Sequence, residues 1–338
     1  MLATMVKCCA ISHHGRWVIN MKCAIIGAGS IGSLVAAQIA TSTDTELLLC
    51  SKGDSALALM ALGLQLQTPV GDVIVDPTRW IVVQNNAEIP NEWLNSTDVV
   101  MVCTKASATI EIAPIAARLL SSEGVVLSLQ NGISNEHQLA EVCGRHRTIG
   151  ALTTHGATRV STGITRWAGE GEIVIGPLSS GISSSEPRFE AVFDMLQKSS
   201  LNPRISESIE SELWSKLLLN CAINPIAAIC GVTNGSLFSI QELHEQAIST
   251  MLEAAAIGRA IGIALASDED LIDRLDTVLQ STAANECSML QDIKRGVITE
   301  IDAINGEILK IAEKVGIPCP LNSQLVTLIK GIENSLSR

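Results

Sequence analysis

Lys216, Asn220 and Asn224 fall four residues apart in the stretch ELWSKLLLNCAINP (212–225), whose other residues are mostly Leu, Ile, Ala and Cys. Successive i, i+4 positions on a helix drift by only about 40°. An ammonium and two amides therefore share one narrow stripe of an otherwise apolar rod, where Leu213, Leu217, Leu219, Ile223 and Ile226 indicate burial. A buried amide without a partner costs on the order of 1–3 kcal/mol, and an unpaired ammonium far more. The stripe therefore needs polar atoms opposite it, supplied by the protein or by a polar ligand in a cleft. Pro225 removes a helical donor and crowds the carbonyl of Cys221, which predicts a kink or an end there. Asn234-Gly235 predicts a turn beyond it. The structural alternative is a lysine reaching to solvent and asparagines that bridge helices, and on this stretch alone the two readings stand level.

A second group of residues has a sharper signature. Gly27-Ala28-Gly29-Ser30-Ile31-Gly32 directly follows the apolar run CAIIG and opens a helical pattern. In G-x-G-x-x-G the first glycine permits a tight turn, the second admits a pyrophosphate to the backbone, and the third lets helix and strand pack closely. The unpaired N–H groups at the helix start favour an anion. An NAD site usually has an acid at the end of the second strand. Here that strand ends Cys50-Ser51-Lys52-Gly53, offering a hydroxyl and an ammonium, which favours the 2′-phosphate of NADP. Further on, Ser288-Met-Leu-Gln291 and Thr299-Glu300-Ile-Asp302 have the spacing of helix capping boxes.

Those residues need a scaffold. Short apolar runs at 45–50, 98–105 and 124–132, with a helical pattern at 107–121, imply βαβ units and a parallel sheet. The alternating run 169–177 suits an antiparallel or edge strand, 178–187 a Gly/Ser-rich loop, and 188–199 a helix. Beyond about residue 205 strand-like runs nearly vanish, and helical periodicity spans 207–231, 239–263, 269–295 and 299–315. The expected fold is therefore α/β, with a Rossmann-type dinucleotide-binding domain over 21–205 and an all-helical substrate domain over 206–338. Residues 1–20 are basic and acid-free, too short and too poor in Ser and Arg for a transit peptide, and are expected to lie outside the fold.

Composition narrows the classes of partner. The 338 residues are 47% apolar and carry a net charge of −12. With no basic face visible, a nucleic-acid partner is disfavoured, whereas a small anion answers to its local pocket. The most apolar stretch, 217–232, is interrupted by Asn220, Asn224 and Pro225, so no membrane span is expected. Ten cysteines without a CxxC pair, mostly in apolar runs, suit a reducing compartment, hence the cytoplasm, and no metal site.

Taken together, GAGSIG (27–32), CTKA (103–106), QNG (130–132), ELWSKLLLNCAINP (212–225), TNG (233–235) and CSMLQDI…TEID (287–302) resemble the ketopantoate reductase family. The likeness runs from Met21 onward. It implies NADPH-dependent reduction of the 2-oxo acid 2-dehydropantoate to (R)-pantoate in pantothenate biosynthesis. Lys216 matches the family's catalytic lysine and Glu300 its acidic partner. Asn220, Asn224, Asn234 and Ser288 match substrate-contacting positions. Asn131 matches the asparagine between nicotinamide and substrate, and Lys105 a cofactor-side lysine; Glu300 also falls on the cofactor side. Lys216 would then steady the charge developing on the carbonyl oxygen and give it a proton. The sequence departs from the family where Ser51-Lys52 replaces the usual arginine at the 2′-phosphate. A homodimer is compatible with the resemblance. Two alternatives remain open: a reductase or opine-type dehydrogenase acting on another 2-oxo acid, and a non-catalytic NADP-binding sensor.

Overall fold

The computed structural model describes residues 21–336, so the expected extension over 1–20 lies outside the described residues. Twelve strands are present among them: β1 (Lys22–Ile26), β2 (Glu46–Cys50), β3 (Leu64–Thr68), β4 (Gly71–Val75), β5 (Trp80–Val83), β6 (Thr97–Val102), β7 (Leu120–Ser128), β8 (Thr148–Thr153), β9 (Gly156–Ser161), β10 (Ile164–Gly169), β11 (Ile173–Pro177) and β12 (Pro203–Ile205). The main sheet runs β12-β11-β8-β7-β6-β1-β2-β5. Its six strands from β5 to β8 are parallel, and in chain order they read 3-2-1-4-5-6, the doubly wound arrangement. Ile26 pairs with both Cys50 and Val102, so β1, β2 and β6 end level. The loops after them open on one edge, and the order reverses between β1 and β6, where such sheets bind ligands. The 169–177 run is antiparallel to β8 but is not an edge, because β12 pairs outside it.

One face of this sheet is covered by α3 (Thr109–Leu119) and α4 (Asn135–Cys143), the other by α1 (Ser30–Ser42) and α5 (Pro187–Lys198); α2 (Gly53–Ala61) follows β2. A second sheet, β4-β3-β10-β9, lies against the outer side of α1. With a sheet on each side, α1 buries every residue from Gly32 to Ala40, which explains its lack of a polar face.

The remaining helices are α6 (Ile209–Cys230), α7 (Asn234–Ser239), α8 (Gln241–Ala260), α9 (Asp268–Ser281), α10 (Ser288–Lys294), α11 (Asn305–Val315) and α12 (Pro320–Leu336). They enclose a separate core around α6. Several sequence expectations change here. The 269–295 segment splits into α9 and α10, because the intervening loop is pinned to the start of α7 by Asn234 N–H donating to Asn285 O (3.0 Å) and Gly235 N–H to Ala283 O (3.0 Å). Asn234-Gly235 thus opens a helix rather than a free turn. Ser288 is the first residue of α10; the cap is Cys287, whose Sγ accepts from Leu290 N–H at 3.4 Å. Thr299 does not cap a helix: its hydroxyl donates to Glu333 Oε1 (2.6 Å), and α11 begins only at Asn305. Helix α12 had no counterpart in the periodicity reading.

Pro225 neither ends nor breaks α6. The carbonyl it orphans, Cys221 O, accepts instead from Asn305 Nδ2 at 2.9 Å, so a buried side chain replaces the missing backbone donor. Running to 22 residues, α6 is long and apolar enough to cross a bilayer, contrary to expectation, with mean hydropathy 1.4 over its most apolar window. Yet 67% of that window is buried inside the protein, as in a core helix. Its first two turns dock on the main sheet through Ile209 and Leu213, which pack with Leu152, Val174 and Leu178. A Cβ at Gly150 or Gly176 would come within 2.8 or 2.9 Å of Ile209, so the two glycines permit this close approach. Burying that pair contributes roughly 3–6 kcal/mol and fixes where the next two turns of α6 must point.

Candidate active site

Those turns face a cleft of about 1490 Å³ between the main sheet's loop edge and the helical half. Along α6, Ser215, Lys216, Leu219 and Asn220 are only half-buried while most of their neighbours are buried. The polar stripe is thus the helix's open face, and Lys216, Asn220 and Asn224 all line the cleft. On the opposite wall stand Gly27, Ala28, Gly29, Ser30 and Ile31 after β1, Ser51 and Lys52 after β2, Lys105 after β6 and Asn131 after β7. Asn234, Ser288 and Glu300 complete the wall of the helical half. Every residue given a catalytic, substrate or cofactor role in the sequence analysis borders this space except Gly32. Its part is packing: a Cβ there would sit 2.1 Å from Gly27 O.

The glycine loop fits a dinucleotide on steric grounds. Gly27 has φ +100°, and a Cβ would meet Thr104 N at 2.6 Å, so only glycine suits the turn. At Gly29 a Cβ would meet nothing within 4 Å, because the backbone there faces the open cleft. No side chain caps α1, so its first N–H groups are free to meet an anion.

Glu300 reaches across the cleft. Its Oε2 accepts from Asn131 Nδ2 at 2.9 Å and its Oε1 from Ala106 N–H at 3.1 Å, joining the helical half to the loops after β7 and β6. Behind Asn131, Asn135 Nδ2 donates to Asn131 O (2.9 Å), and Gln130 Nε2 reaches both Thr104 Oγ1 and Lys105 O at 3.1 Å. This buried network sets the loop's conformation. Lys105 also spans the cleft: its Nζ pairs with Asp292 Oδ2 at 2.8 Å and donates to Ile298 O.

No carboxylate lies within 4 Å of Lys216 among the described residues, but two act on it from further off. Burial pulls its pKa down from 10.5 to about 8, while Glu300 and then Glu136 oppose the fall. Glu136, in the first turn of α4, was not anticipated. It is fully buried, and neither oxygen meets a donor from another residue. Burial pushes its carboxyl up from 4.5 to about 8, against its own backbone amide and the charge on Lys216. Its position in a first helical turn resembles ordinary dipole compensation, so the sequence carried no signal of its burial.

Asn234 adds a directional feature. Thr282 Oγ1 donates its hydroxyl proton to Val278 O (2.6 Å), so it can only accept from Asn234 Nδ2 (2.9 Å). That fixes the amide's orientation and leaves Asn234 Oδ1 buried without a partner.

A glycine-loop crevice at the switch point of a doubly wound sheet, faced by a helical half carrying a half-buried lysine, defines a Rossmann-type oxidoreductase. Comparison with known proteins agrees. The family model for ketopantoate reductase PanE/ApbA matches residues 23–180, and that for its C-terminal part matches 208–333. A 2-dehydropantoate 2-reductase of Pyrococcus abyssi is 34% identical over 313 residues, 93% of this chain and 98% of that protein. One of Archaeoglobus fulgidus is 33% identical over 92% of this chain and 98% of its own length. Among solved structures, a PanE/ApbA family ketopantoate reductase from Ralstonia eutropha aligns with TM-score 0.82 at 28% identity, over 94% of this chain and 100% of that one. D-mandelate dehydrogenase with NADH and anilino(oxo)acetate aligns with TM-score 0.83 at 25% identity, over the same shares. The chain belongs to the ketopantoate reductase family.

Proposed function

We propose that the protein reduces 2-dehydropantoate to (R)-pantoate with NADPH, as a step of pantothenate biosynthesis in the cytoplasm. The observation that carries this reading is Asn234 Oδ1, an unpartnered buried acceptor on the same cleft wall as Lys216. A 2-oxo acid bearing a hydroxyl would donate to it, whereas a substrate without one would leave it unpaired at a cost of about 1–3 kcal/mol.

The bound nicotinamide would supply a hydride to the C2 carbonyl carbon. The chain's residues do the rest. Lys216, with its pKa about 8, is about nine-tenths protonated at pH 7, so it can steady the developing oxygen charge and hand over its proton near the working pH. Glu300 keeps that ammonium charged, and Asn131, held by Glu300, sits between the glycine loop and α6. Asn220 and Asn224 provide further amides along the substrate wall. Ser288, exposed at the lip of the cleft, is available to the substrate carboxylate. Ser51 and Lys52, just after β2, would meet the adenosine 2′-phosphate. We assign residues 21–205 to the cofactor domain and 206–338 to the substrate domain, and allow a homodimer.

The likeness to D-mandelate dehydrogenase with NADH supports a second reading, a reductase of another 2-oxo acid. Steady-state rates of NADPH oxidation with ketopantoate and with its analogue lacking the C4 hydroxyl separate the two. The proposal expects kcat/KM at least about tenfold higher for ketopantoate, with the gap closing in Asn234→Ala. Equal values in the native protein would refute it. Dinucleotide binding with no turnover of any 2-oxo acid would leave the sensor reading.

A further inference from the structure

Two arginines border the cleft without a counter-ion. Arg159 lies on β9 of the small sheet, Arg295 just past α10 in the helical half, and both line the cleft. They approach each other across it: Arg295 Nη2 donates to the Arg159 carbonyl at 3.4 Å. Arg159 is anchored next to the glycine loop, its N–H donating to Ser30 Oγ at 3.1 Å, in the first turn of α1. Among the described residues neither guanidinium has a carboxylate within ion-pair distance. The acids near Arg295 in the chain are otherwise engaged, Asp292 with Lys105, Glu300 with Asn131 and Ala106, and Asp302 with Lys330. Burial, and next the like charge of Arg295, hold Arg159 below its ordinary pKa.

Both side chains are exposed, so water screens much of their mutual repulsion, and an anion bound between them would gain from both charges. The position of Arg295 after the last turn of α10 offers it a helix C-terminus, but nothing comparable explains Arg159. The uncapped start of α1 adjoins Arg159 through the Ser30 bond.

We propose that Arg159 and Arg295 form a two-sided clamp on the pyrophosphate of the dinucleotide, Arg159 from beside the glycine loop and Arg295 from the helical half. The inference rests on the dinucleotide reading above and adds to it a coupling. One arm belongs to the sheet-bearing half and the other to the helical half, so the diphosphate itself draws the two walls together. The guanidinium's planar fork suits phosphate oxygens better than an ammonium would. The 2′-phosphate, at Ser51 and Lys52, is a separate site.

The test is equilibrium binding of NADPH and of NADH, by calorimetry and without any 2-oxo acid, to the native protein, Arg159→Gln, Arg295→Gln and the double variant. Each single change is expected to weaken both dinucleotides by the same factor, roughly tenfold, with the loss shrinking as salt rises. Inorganic pyrophosphate should compete with NADPH on the native protein and fail to do so on the double variant, while unchanged Tm values rule out misfolding. Arg159→Lys and Arg295→Lys should recover part of the affinity, a rescue that loss of packing alone would not give. Weakened NADPH with untouched NADH would move the pair to the 2′-phosphate and overturn the clamp, as would native affinities for both. A native protein that binds dinucleotide but turns over no ketopantoate would defeat only the substrate assignment. One that binds neither dinucleotide would defeat both.

Discussion

Replacing Glu300 by Gln removes the larger of the two charges that hold up the Lys216 pKa, while nearly preserving shape. An opposite charge within about 4–6 Å moves a pKa by roughly 1–3 units. Since the two groups are not within ion-pair distance, a fall of about 1–2 units from about 8 is expected. The protonated fraction of Lys216 at pH 7 would then drop from about 0.9 to about 0.1–0.5, and kcat/KM with it by about 2- to 10-fold. At pH 5.5 both forms would be mostly protonated and the deficit should nearly close. The amide also accepts through one oxygen only, so either Asn131 Nδ2 or Ala106 N–H loses its partner. That adds a loss that does not vary with pH. The assay is kcat/KM for NADPH oxidation by ketopantoate from pH 5 to 10, with Lys216→Ala as reference. The lysine variant should fall at least about 10²-fold across the profile. In Glu300→Gln the alkaline limb should begin 1–2 pH units earlier. A limb that stays in place, with only a uniform drop, would refute electrostatic support and leave Glu300 as a positioning residue for Asn131.

Four further outcomes are expected. Gly29→Ala should fold with an unchanged Tm, since its Cβ meets no protein atom and its φ is −78°, yet lose at least about tenfold in dinucleotide affinity; an unaffected Kd would remove the loop from the pyrophosphate site. Lys52→Ala should raise KM for NADPH more than for NADH, and equal increases would discard it as the 2′-phosphate ligand. Asn305→Ala should cost about 1–3 kcal/mol in chemical denaturation, by orphaning Cys221 O. Pro225→Ala should return part of it in that background by restoring a backbone donor, and additive losses would contradict the substitution of side chain for backbone. Glu136 binds its proton more tightly folded, near pH 8, than unfolded, near 4.5. Its contribution is therefore fully present below about pH 4.5 and is lost as pH rises from there through 8, by roughly 5 kcal/mol. Glu136→Gln should flatten that decline in Tm, and parallel Tm curves would show the carboxyl is not buried neutral.

The sequence indicated the overall fold class and the residues that line the cleft, but not every element of the scaffold. Lys216, Asn220 and Asn224 stood out because polar residues at helical spacing on an apolar segment violate a local rule, and such violations are visible without tertiary knowledge. The glycine loop was legible for the same reason. The small sheet escaped notice because β3, β4, β9 and β10 are short and partly exposed, with Ile74 75% and Val160 45% accessible, and their inner side is covered by α1. Pro225 was misread because its missing donor is replaced by Asn305, eighty residues on, which no local reading could supply. Glu136 and Arg159 share that limitation: each looks like an ordinary surface charge in the chain, and only the fold places one in the core and the other opposite a second arginine.

The same contrast bears on how the cleft works. Lys216 is rigidly placed, two turns beyond residues docked on the sheet through Gly150 and Gly176. Glu300 comes from a stretch of turns between α10 and α11; its carbonyl accepts from Ala303 and Ile304 N–H within the helical half, while its carboxyl is oriented by Ala106 N–H and Asn131 Nδ2 on the opposite wall. The orientation of that carboxyl therefore depends on the two walls being engaged. On the proposed reading, an open cleft would wet Lys216 and separate it from Glu300. Closure over the diphosphate would desolvate the lysine and bring up the carboxylate that offsets that cost at the moment the substrate is enclosed. Chemistry would thus be tied to cofactor occupancy by one carboxylate held from across the cleft.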